Sequence, residues 1–134
     1  MAEAAAAWDL DVPELDPSAS ERIEKFLYPF APHPRNPVDA ASDIRPMTYA
    51  RALEILMGLD YIDGVLMMIP FMFEFQLRSP ASIRDLMDAT EIICSLPRKY
   101  NKPILANMIP RASVGPALDL FQKAGIPFYA SQDE

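Results

Sequence analysis

The stretch RNPVDAAS, Arg35 to Ser42, gathers the polar groups best placed to act in a site. Asn36 and Asp39 stand in a loop at the end of a run with four prolines, Pro29 to Pro37. An acid held between apolar residues in such a loop invites a catalytic reading. The same two residue types also hydrogen-bond nearby backbone amides and hold a proline-bearing turn. The turn is the favoured reading, a latch at a domain edge. His33, in APHPRNP, is read as an ordinary loop histidine. Cys94 is the only cysteine, so no disulfide framework or multi-cysteine metal site can be built from it. No residue is assigned a catalytic role and none a metal.

Two further groups follow apolar runs. PFMFEFQLRSP crowds Phe71, Phe73 and Phe75 around Glu74. In a parallel sheet, loops beyond the carboxyl ends of strands line the ligand crevice. These rings either fold back over their own helices or cover a neighbouring domain, and a domain interface is the expectation. Arg111 follows another apolar run; its guanidinium fork suits a phosphate, though a solvated loop arginine is the plainer reading. Met67, Met68 and Met108 read as core filler.

These residues need elements to position them. LDVPEL (Leu10 to Leu15) alternates apolar and acidic residues like a short strand that Pro13 limits to weak or edge pairing. DPSASERIEKFL predicts a helix capped by Asp16, with Ser18 and Glu21 as a competing start one turn later. Ile23, Phe26 and Leu27 would form its apolar face. Pro46 opens a helix to about Met57, with Tyr49, Leu53 and Leu56 on one face and Gly58 as a left-handed cap. GVLMMIP is an unbroken apolar run and reads as a strand buried on both faces. Ser79 and Pro80 start the longest helix, with Ile83, Leu86, Met87, Thr90 and Ile93 at helical spacing. KPILANMI is a second buried strand, Pro116 to Lys123 a helix stopped by Gly125, and IPFYA a last short strand. Strands alternating with helices imply parallel pairing in a three-layer α/β domain.

The totals narrow the class. A chain of 134 residues, 51% hydrophobic, is at most one domain and has enough apolar surface for a core. A net charge of −7 argues against a nucleic-acid surface, which needs a basic face. Gly64 to Phe73, the longest apolar run, falls short of the roughly 20 residues of a membrane helix. MAEAAAAWDL is not a secretory signal, since no positive charge precedes its alanines. A soluble, cytoplasmic protein is the expectation.

Taken in order, LDVPEL, NPVDAASDI, YARALEILMGLDYIDGVLMMI, NKPILANM and LFQKAGIPFYASQDE resemble the NDP-forming acyl-CoA synthetases. That family includes ADP-forming acetate–CoA ligase and relatives of succinyl-CoA synthetase. Its pattern runs L-P-E-L, N-P-V-D, V-D-A-V-L, K-P-V and A-G-I-P at similar spacing, and the resemblance covers Leu10 to Glu134. It implies one partial, flavodoxin-like CoA-ligase domain over residues 1–134, with sheet order 2-1-3-4-5 and without its first, central strand. Residues 1–9 would end the helix that follows that strand, with Asp9 where the family often has glycine.

The implied activity interconverts acyl-CoA, phosphate and a nucleoside diphosphate with acid, CoA and the triphosphate. A histidine on another domain, in an S-H-T-G context, carries the phosphoryl group. His33 does not match that context. The whole enzyme would use CoA, ATP or ADP, and Mg, none bound by this domain alone. Asn36 and Asp39 would lie at the edge of the active site, and the partners would be other domains or subunits of the ligase. An open edge on GVLMMIP would make the isolated chain self-associate. Two other readings stand beside this one: a non-catalytic α/β module that binds another subunit or an acyl-CoA, and part of a synthetase-like lysine acetyltransferase.

Overall fold

A computed structural model describes residues 7, 9–41, 43, 45–68, 79–107 and 115–129. The chain forms two compact units, Met1–Asp43 and Ile44–Glu134.

The first unit is organised by helix α1, Pro17–Glu24. Asp16 is extended, and its carboxylate accepts from the Ala19 amide at 2.9 Å while its carbonyl takes the Ser20 amide at 3.1 Å. Pro17 fills the first position, where a missing N–H costs nothing. The helix therefore starts at the Asp16 cap and not at Ser18. Ala19, Ser20 and Ile23 form the buried face. Ser20 Oγ donates to the Pro34 carbonyl at 2.9 Å, and Pro34 is fully buried, so the proline run is fastened back onto α1.

LDVPEL does not form a strand: residues 10–15 have no ladder partner among the described residues. Alternation favours extended backbone, but a strand exists only where a neighbour supplies hydrogen bonds, and Pro13 has no N–H to give. Asp9 has φ of 56°, in the left-handed region that glycine adopts most readily and Asp tolerates.

The second unit contains α2 (Pro46–Met57), β1 (Val65–Met68), α3 (Pro80–Tyr100), β2 (Ile104–Asn107), α4 (Gly115–Lys123) and β3 (Phe128–Tyr129). The strands lie in the order β1-β2-β3, all parallel, with Met67 beside Ala106 and Ala106 beside Phe128. This is the parallel α/β fold that the strand and helix alternation predicts, and it is consistent with the flavodoxin-like three-layer class that the resemblance implies. No helix among the described residues is long and apolar enough to cross a membrane.

Side chains alternate across a strand, so residues paired in register share a face. Met67, Ile104 and Ala106 point into a core with Leu53 and Met57 of α2, Ile93 and Leu96 of α3, and Phe121 of α4. The opposite face carries Leu66 at 50%, Met68 at 40% and Tyr129 at 38% exposure. β1 is thus buried on one face and not on both, and Met68 is not core filler. Helix α2 is likewise rotated by about one residue from expectation: Ala50, Leu53 and Met57 are buried, while Tyr49 and Leu56 are half-buried. In α3 the buried set is Leu86, Ala89, Thr90, Ile93 and Leu96, with Ile83 exposed at its start.

Helix ends are closed locally. Gly58 does not adopt the left-handed cap; at φ −80° it continues the right-handed turn, its amide shared between the Glu54 and Ile55 carbonyls. Lys102 explains why no such cap is needed. Its Nζ donates to the carbonyls of Met57 at 3.1 Å and Leu59 at 2.7 Å, placing a cation on the negative end of α2. The left-handed residue that ends α3 is Asn101, at φ 54°. Gly125, at φ 72°, follows α4 as its stop. Gly64 is needed for close approach, since a Cβ there would stand 3.0 Å from Pro103 Cγ.

Candidate functional site

In an open parallel sheet, ligands collect beyond the carboxyl ends of the strands. Here those ends are Met68, Asn107 and Tyr129. Asn107 Nδ2 donates to the Tyr129 carbonyl at 3.3 Å, tying the ends of β2 and β3 together. In a parallel β-α-β arrangement the helices run antiparallel to the strands, so the positive dipole ends of α3 and α4 face the carboxyl-end side of the sheet. At α3, Ser79 Oγ accepts from the Ser82 amide at 3.1 Å and lies 2.8 Å from Ser82 Oγ, so the first turn is capped by its own hydroxyl. The residues expected to line this edge, Phe71, Phe73, Phe75 and Arg111, lie outside the described residues. So does Met108.

The NPVD loop belongs to the first unit. The Asn36–Pro37 peptide bond is cis. Asn36 Nδ2 donates to the Pro13 carbonyl at 3.0 Å, joining the loop to the segment before α1 across 23 residues of sequence. One oxygen of the Asp39 carboxylate accepts the Ala41 amide at 2.8 Å, and Ala41 has φ of 48°. This is the side-chain-to-backbone turn that Asn and Asp form well. Both contacts hold backbone, as a latch does, and neither passes a proton between side chains.

His33 is exposed, with Nδ1 3.5 Å from Glu24 Oε1 across the proline turn. Cys94 is half-buried in α3, and burial, with a smaller push from Glu91, raises its thiol to about 11. It is protonated at neutral pH and is not an activated nucleophile. Among the described residues no group of three or more His, Cys, Asp or Glu stands close enough to hold a metal ion.

Sequence reasoning missed two polar side chains. Lys102 is signalled by the Lys-Pro pair that precedes β2, once that pair is seen to lie beside the end of α2. Asp43 is fully buried, which the sequence SDIRP does not announce.

No protein-family model matches the chain. No curated protein matches it either. Among solved structures it is similar to the crystal structure of PH0766 from Pyrococcus horikoshii OT3, with a TM-score of 0.73 and 24% identity. The similarity covers 97% of this chain and 29% of that one, so the chain spans less than a third of that protein's length. At this identity the likeness concerns the fold alone and is compatible with an α/β chain.

Proposed function

We propose that this chain is the flavodoxin-like lobe of an NDP-forming acid–CoA ligase, an enzyme coupling acyl-CoA thioester chemistry to nucleotide phosphorylation. The observation that carries the reading is the parallel order β1-β2-β3. Val65–Met68, Ile104–Asn107 and Phe128–Tyr129, which fall within the family-like stretches, are adjacent strands, and this supports the reading. Two smaller features support it. Asp9 takes a left-handed φ where the family often has glycine, and the Lys-Pro pair has a definite task, Lys102 closing α2 while Pro103 accepts the Val65 amide.

In this reading the lobe contributes architecture. Its strand ends form one edge of the sheet, and the NPVD latch holds one loop in place. The phosphorylated histidine, the nucleotide site and most of the CoA site belong to other domains or subunits, which are the lobe's partners in the cytoplasm. CoA, ATP or ADP, and Mg supply thioester and phosphoryl chemistry there.

The adjoining coding sequence tests this. A histidine in S-H-T-G on one side and a nucleotide-grasping domain on the other are expected. An adjoining acetyltransferase module would replace the ligase with a protein acetyltransferase. Neither feature would leave a non-catalytic binding module.

A further inference from the structure

We draw no further inference here: the strongest candidate, the apolar sheet face formed by Leu66, Met68 and Tyr129 opposite the helical core, carries nothing because no feature of the structure shows what covers it.

Discussion

Alanine substitution at Met67 and at its neighbour Leu66 probes the two faces of β1. Met67 is 4% exposed and packs in the core, whereas Leu66 is 50% exposed on the opposite face. Truncating a buried methionine removes its transfer free energy and leaves a cavity, about 3 kcal/mol at a site this enclosed. Truncating Leu66 removes only about half of the transfer contribution, about 1 kcal/mol, and the space opens to solvent without forming a cavity. The difference, about 2 kcal/mol, corresponds to roughly 6–10 °C in Tm for a chain of this size. Urea unfolding followed by circular dichroism, with thermal melts beside it, measures both variants against the parent. Equal losses at the two positions would mean that β1 is buried on both faces, and the one-sided core described above would be wrong.

Four other outcomes are expected. Asn36→Ala removes the bond to the Pro13 carbonyl and should cost about 1 kcal/mol; an unchanged urea midpoint would show that the loop is not latched there. Cys94 should react with iodoacetamide at pH 8 roughly 90-fold more slowly than an unperturbed thiol, because a pKa raised from 9.0 to about 11 lowers the thiolate fraction that much. The thiol's contribution to stability is flat below about pH 9 and falls from there towards pH 11, since the unfolded thiol loses its proton first; a Cys94→Ala variant should lose that part of the alkaline fall, and an identical alkaline profile would refute it. Among the described residues β1 pairs on one side only, so light scattering of the isolated chain should give a mass above 15.0 kDa, and a stable monomer would contradict the open edge.

Helix starts were the most legible part of the sequence. Asp16-Pro17, Pro46 and Ser79-Pro80 mark real beginnings, and Pro116 lies one residue inside the start of α4, because proline's fixed φ and missing N–H act within one turn. Parallel pairing was legible too, since strands separated by helices have few other ways to meet. What failed depends on distant partners. LDVPEL has strand-like alternation but no ladder, and GVLMMIP has no period from which to read that only one face is covered. Gly58 looked like a left-handed cap because the Lys102 ammonium that closes α2 comes from 45 residues further along for Met57. The NPVD latch was legible as local turn chemistry at Asp39, but the Asn36 partner, 23 residues away, was not.

The proposed role is tested most directly on the complete gene product that contains this chain. Supplied with acyl-CoA, inorganic phosphate and ADP, it should form ATP and pass through a phosphorylated protein that is labile to acid and stable to base, as a phosphohistidine is. Acyl-CoA consumption with the acyl group appearing on protein lysine, or no turnover with a panel of acyl-CoAs and both ADP and GDP, would contradict the ligase assignment.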